Sequence, residues 1–104
     1  MNKENDFQSK LIKDLKKRFP ECIVTKLDAN HIQGIPDLLI LNKDKWATLE
    51  CKRSFDEYKK CVSKNNPPNQ KYYVDLMNKM SFSSYIYPEN KEEVLNDLQR
   101  TFKS

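Results

Sequence analysis

Apolar positions repeat with a helical period near both ends of the chain and with a strand period in its middle, and this change of period outlines the fold. Before Pro20, the residues Phe7, Leu11, Ile12, Leu15 and Phe19 fall on one side of a helix. Lys10, Lys13, Lys16, Lys17 and Arg18 take up the rest of its circumference. Pro20 stops that helix, because the residue before a proline is pushed out of the helical region. Cys22 to Leu27 is short and β-branched, as strands are, and the polar run Asp28 to Gln33 predicts a loop. Leu38 to Leu41 and Trp46 to Cys51 predict two strands joined by the turn-forming Asn42-Lys43-Asp44-Lys45, which makes an antiparallel hairpin. The charged stretch Ser54 to Asn69 contains Pro67-Pro68, so at most a short helical piece within a flexible loop is expected there. Tyr73, Leu76, Met77 and Met80 share one face of a second helix, Ser81 to Tyr87 alternates like a strand, and Pro88 closes it. In the last segment Val94, Leu95, Leu98 and Phe102 repeat at helical spacing, with acids at the start and bases at the end, as the helix dipole favours. The predicted order is helix, three strands, helix, strand, helix: an α/β domain.

Composition narrows the class. The 104 residues can build a single core but not two, so residues 1–104 are expected to form one domain. A net charge of +4 favours a polyanionic partner without naming it. Cys22, Cys51 and Cys61 lack the paired spacing of a zinc site and are odd in number, which predicts reduced thiols. No apolar run has the length of a membrane span and the first residues are charged, so the expectation is a cytoplasmic protein with no membrane partner.

The stretch Gly34-Ile35-Pro36-Asp37-Leu38-Leu39-Ile40-Leu41 opens a buried strand with an aspartate. A turn centred between Lys43 and Asp44 pairs Leu41 with Trp46 and sets Asp37 opposite Glu50. Side chains directly opposed on antiparallel strands have Cβ atoms about 5 Å apart, and like charges there repel. Lys52, two residues beyond Glu50, projects from the same face and offsets part of the charge. A hard divalent cation such as Mg²⁺, which takes carboxylate and carbonyl oxygens, would offset the rest. Cys51 points the other way, into the core. Taken alone, Asp37 reads equally as a turn residue and Glu50-Cys51-Lys52 as an ordinary half-exposed strand. Taken together, the ordered set favours a site.

Pro36-Asp37 followed by Glu50-Cys51-Lys52 resembles the PD-(D/E)XK nuclease superfamily, and within it the VRR-NUC group, which includes short phage domains. The likeness extends to an acid in the leading helix and to a glutamine opening the helix after the ExK strand, here within Asn69-Gln70-Lys71-Tyr72-Tyr73. It implies a restriction-endonuclease-like core around a mixed sheet, and a Mg²⁺-dependent deoxyribonuclease, with Mn²⁺ as a substitute, working in the cytoplasm of a bacterial or phage-infected cell. By this resemblance Asp37 and Glu50 are the metal ligands with the Cys51 backbone carbonyl as a third. Lys52 orients or activates the attacking water, and Gln70 contacts the site. Glu4 would hold the metal through water, with Asp6 as its competitor, and either also suits a helix N-terminus. The segment between the ExK strand and Gln70 is longer and richer in lysine than in compact members.

Arg53, Lys59, Lys60, Lys64 and Lys71 follow that strand and are the expected contacts to DNA phosphates, unless they form a solvated face. Gly34, the only glycine, either takes a positive φ or lets a phosphate approach closely. Phe55, Tyr58, Tyr72 and Tyr73 are interleaved with the bases, where they either meet unstacked nucleobases or belong to the core. His31 reads as polar surface near the site. With no base-reading motif, recognition of DNA shape is expected, branched or four-way-junction DNA above all, and related junction resolvases imply a homodimer. Two alternatives stand beside this: a nuclease subunit that needs a helicase or recombination partner, and a catalytically silent DNA-binding module of the same fold.

Overall fold

A strand that alternates apolar and polar residues must offer one face to a dry core and the other to something that tolerates polarity. The computed structural model, which describes residues 3–103 with side chains from residue 6 onward, resolves that demand with helices on both faces of one sheet. The elements are α1 (Lys3–Arg18), β1 (Ile23–Lys26), β2 (Leu38–Asn42), β3 (Lys45–Cys51), α2 (Phe55–Lys64), α3 (Gln70–Met80), β4 (Phe82–Ile86) and α4 (Lys91–Lys103). The sheet order is β1-β2-β3-β4, antiparallel between the first three strands and parallel between β3 and β4. A parallel partner cannot be reached by a hairpin, and α2 and α3 form the crossover.

The hairpin register is the predicted one. Leu41 pairs with Trp46 and Asn42 with Lys45, so two residues, Lys43 and Asp44, make the turn, with Lys43 at a positive φ of 59°. On the face covered by α1 and α4, Leu38, Ile40, Ala47, Leu49, Cys51 and Ile86 pack with Leu11, Leu15, Val94, Leu95 and Leu98. Full burial of such a side chain is worth about 1.5–3 kcal/mol, so this layer supplies most of the driving force. Cys51 lies in it, as its place between two charged neighbours predicts. The opposite face holds Thr48, Glu50, Ser83 and Tyr85 under α3, with Val74, Tyr85 and Tyr87 packing against Tyr58 and Val62 of α2.

The architecture is thus an α/β domain with a four-stranded mixed sheet and four helices, one more helix than the sequence pattern predicts. The addition is α2, ten residues in the stretch expected to be mostly loop. Local chemistry makes it. The Ser54 hydroxyl accepts from Glu57 N at 3.1 Å, Asp56 and Glu57 occupy the first turn, and Asn65 ends the helix in the left-handed region before Pro67. None of its residues is fully buried, so caps and partial packing hold it where a core-facing stripe normally would. Among the described residues no helix is long and apolar enough to cross a membrane.

Candidate active site

The ends of β2 and β3 meet where the hairpin leaves the core. One rung beyond Leu38↔Leu49 the register sets Asp37 opposite Glu50, as the turn geometry predicts. The Asp37 side chain also does something the sequence reading missed: its Oδ2 accepts a hydrogen bond of 2.9 Å from Cys51 N. This carboxylate therefore extends the ladder past the last backbone pair, which is one structural reason for an acid at the head of an aliphatic strand. Because a strand residue directs its N–H and C=O to the same side, the Cys51 carbonyl is also directed toward the β2 side.

Glu50 and Lys52 are both nearly inaccessible, at 2% and 5% exposure, and Lys52 Nζ stands 3.5 Å from Glu50 Oε2. The ammonium also donates to Gln70 Oε1 at 2.8 Å. Asp37, Glu50, Lys52 and Gln70, spread over more than thirty residues of sequence, thus form one chain of contacts. Burial pushes the Asp37 carboxyl above its ordinary value, a shift only partly opposed by the Cys51 N–H and the Lys52 charge. Tyr85 pairs with Glu50 in the parallel register, and burial together with the Glu50 charge holds its phenol well above the usual tyrosine range. Neither Tyr85 nor Tyr87 emerged as site residues from sequence. The alternation Ser83, Tyr85, Tyr87 shows that they share a face, but nothing local tells which strand lies beside them.

α3 reaches the site because its first residue is Gln70, and a close contact fixes its position. Gly34 has φ +91°, and a Cβ placed there would lie 2.6 Å from the Asn69 carbonyl carbon. Glycine is required on both counts, and the close approach is to the chain's own backbone at the start of α3. The same loop is anchored by Leu27 N donating to Asp37 O at 2.9 Å. His31 lies exposed in that loop and lines an apolar hollow with Leu27, Asp28, Ile32 and Ile35. Two other hollows, around Arg18, Phe19 and Lys43, lie at the far end of the sheet and contain none of the predicted residues.

The remaining predicted residues fare unevenly. Asp6 is exposed on α1, and the Glu4 side chain lies outside the described residues, although the helix backbone spans it. The inward stripe of α1 runs through Leu15, Leu11 and the buried Gln8. Several expected phosphate contacts are already engaged within the chain: Arg53 with Glu57 at 2.6 Å, Lys71 with Asp75 at 2.5 Å and Lys59 with Asp56 at 3.7 Å. Lys60 and Lys64 are exposed and have no such ion pair among the described residues. Tyr73 is half-buried and meets the exposed Tyr72 edge-on at 5.1 Å.

The described residues hold no cluster of three His, Cys, Asp or Glu side chains. What they do hold is a set of hard oxygens: two carboxylates opposed across one rung, and a carbonyl directed to the side of one of them. That donor set fits an ion that keeps several of its waters, as Mg²⁺ does, better than zinc or a soft metal. Comparison with protein-family models, with curated proteins and with solved structures found no match to this chain.

Proposed function

We propose that this chain is a metal-dependent DNA endonuclease of the PD-(D/E)XK type, selective for branched DNA. The observation that supports it most is the buried chain of contacts Asp37–Cys51 N, Glu50–Lys52 and Lys52–Gln70 at one end of the sheet. A buried lysine held between a carboxylate and an amide is expensive to keep unless its charge is used. In this reading Asp37, Glu50 and the Cys51 carbonyl would hold Mg²⁺, with Glu4 acting through water. The bound ion would supply Lewis acidity toward a phosphate oxygen and a polarised water. Lys52 presents its ammonium to the developing charge on the phosphate and directs the water. Gln70 keeps that ammonium oriented, because its Oε1 accepts one of the three N–H donors while Glu50 stands on another side. Exposed Lys60 and Lys64 supply sequence-independent attraction to the backbone.

A second reading, a nuclease that works with a partner subunit or with a second copy of itself, draws support from the sheet. α3 packs over β3 and β4, while Ile23 and Leu41, neighbours on the same face, stay 61% and 39% exposed. Apolar side chains side by side on an uncovered sheet face suit a protein contact.

The deciding experiment is cleavage of labelled linear duplex, single-stranded and four-way-junction DNA with Mg²⁺ and with Mn²⁺, beside Asp37→Ala and chelator controls. Junction nicks that disappear in both controls support the endonuclease. Absence of cleavage on every substrate with either metal would remove the autonomous enzyme and leave the partner-dependent reading.

A further inference from the structure

Phe55, the first residue of α2, exposes 42% of its surface, yet its ring is not loose. It stacks on Tyr58 at 6.2 Å and 24° and leans on Tyr87 at 5.9 Å and 37°. Tyr58 and Tyr87 stack on each other at 5.2 Å and 27°. The three rings form a triangular cluster, each touching the other two, in which Tyr87 is buried at 8% exposure and Phe55 meets solvent. The cluster stands next to the candidate site, because Lys52 N donates to Ile86 O and the parallel register continued one rung sets Tyr87 beside Lys52. The Lys59 ammonium lies 4.7 Å from the Phe55 ring centroid and 3.7 Å from Asp56, on a side chain that is 56% exposed.

A single exposed phenylalanine needs no explanation. One braced by two tyrosines, attended by an exposed cation and set a few residues after Lys52 has the properties of a base-stacking surface: a flat apolar plane, little rotamer freedom left to lose, and a positive charge at hand for the adjoining phosphate. An intact duplex offers no free base face to such a plane. We infer that Phe55 is a stacking platform for an unpaired nucleobase, so that the substrate is DNA with an unpaired nucleotide beside the scissile phosphate; this rests on the nuclease reading of the neighbouring site. Lys59 would move from the ring to the phosphate of the stacked nucleotide.

The test is metal-free binding of the full chain to short single-stranded and duplex oligonucleotides carrying 2-aminopurine, whose emission changes when its base stacks. Wild-type protein should quench the probe in the single strand. Phe55→Ala should lose the quenching and lower the ratio of single-strand to duplex affinity on the order of 10-fold, the range of one base–aromatic contact. Phe55→Trp should restore both, and its unchanged circular dichroism would show that the fold survives at this position. Equal loss of single-strand and duplex affinity in Phe55→Ala, or quenching that persists without the ring, would overturn the platform. Phe55-dependent quenching by a protein that cuts nothing would keep the platform and remove the autonomous nuclease. Cleavage without such quenching would do the reverse.

Discussion

The two faces of the sheet are made from the same strands and obey opposite rules. Toward α1 and α4, Leu38, Ile40, Ala47, Leu49 and Cys51 form a layer in which one aliphatic group can stand in for another of similar size. Toward α3, the residues between them, Thr48, Glu50 and Lys52, meet Ser83 and Gln70 through specific polar contacts: Thr48 Oγ1 donates to Ser83 Oγ at 2.8 Å, and Lys52 bridges Glu50 and Gln70. Neighbours one position apart along β3 thus enter an aliphatic core and a polar network separately. The period of two lets a strand keep a charged site next to a dry core without mixing them.

This contrast can be broken from either side. The largest effect is expected from Lys52→Met, which leaves the Glu50 carboxylate buried with its ammonium gone and Asp37 across the rung. Removing one member of a buried pair costs about 3–5 kcal/mol, so chemical denaturation in chelator should show a large loss. Cleavage should fall on the order of 100- to 1000-fold. Added Mg²⁺ should raise the melting temperature of this variant more than that of the wild type, because binding to the native state alone stabilises by mass action. Equal metal responses in the two proteins would sink the paired-carboxylate account.

On the aliphatic face, Leu49→Ala should lose about 2–5 kcal/mol of stability while the folded fraction keeps its rate per molecule. Comparison of activity at low temperature with the denaturation midpoint separates the two quantities. Gly34→Ala tests the join between the faces of the site. A Cβ at φ +91°, 2.6 Å from the Asn69 carbonyl carbon, forces the loop or α3 to move. A stability loss of about 1–3 kcal/mol is expected, together with a lower rate at saturating substrate, since Gln70 moves with Asn69.

The smallest effect is one of pH. Asp37 holds its proton more tightly in the folded chain than in the unfolded one, chiefly through burial. Folding therefore takes up a proton between the unfolded and the raised folded values, and metal-free stability should be highest below the first and decline as pH rises through the second. Urea midpoints in chelator from about pH 4 to 7 should show this decline in the wild type relative to Asp37→Asn. Asp14 and Glu57 are shifted the other way and add stability as pH rises, so the test is the difference between the two curves. A wild type that does not lose stability relative to Asp37→Asn as pH rises would contradict the burial assigned to this carboxyl.

Much of the layout was legible because it is written in local periods. The α1 stripe, the hairpin and its register follow from spacing and turn length alone, and the register is what brings Asp37 to Glu50. The resemblance to PD-(D/E)XK proteins predicts that Gln70 opens the helix that follows the ExK strand, but α2 intervenes and Gln70 opens the helix after it. What stayed hidden depends on contacts between distant segments. The parallel pairing of β3 with β4 has no turn to announce it, so Tyr85 and Tyr87 could not be set beside Glu50 and Lys52. The bond from Cys51 N to Asp37 Oδ2 needs the end of one strand to be seen against the other. α2 is a different case: Ser54 three residues before Glu57 is a helix-start signal, and the double proline and high charge outweighed it. Gly34 allowed two explanations by its type alone, and only its distance to Asn69 selects the chain's own backbone as what comes close.

The two-residue turn at Lys43-Asp44 has a kinetic consequence. A hairpin closed by so short a loop zips from neighbouring residues, early in folding, and its last rung draws Asp37 and Glu50 together. Lys52 comes with the same strand and offsets part of that charge, whereas Gln70, which holds the ammonium, comes from eighteen residues beyond it, and the β4 strand beside Lys52 comes through the whole crossover. The carboxylates are thus brought together on the way up the barrier, before α3 and β4 fix the ammonium that offsets them. A divalent cation present during folding should act on that step, and refolding should quicken with it by more than unfolding slows.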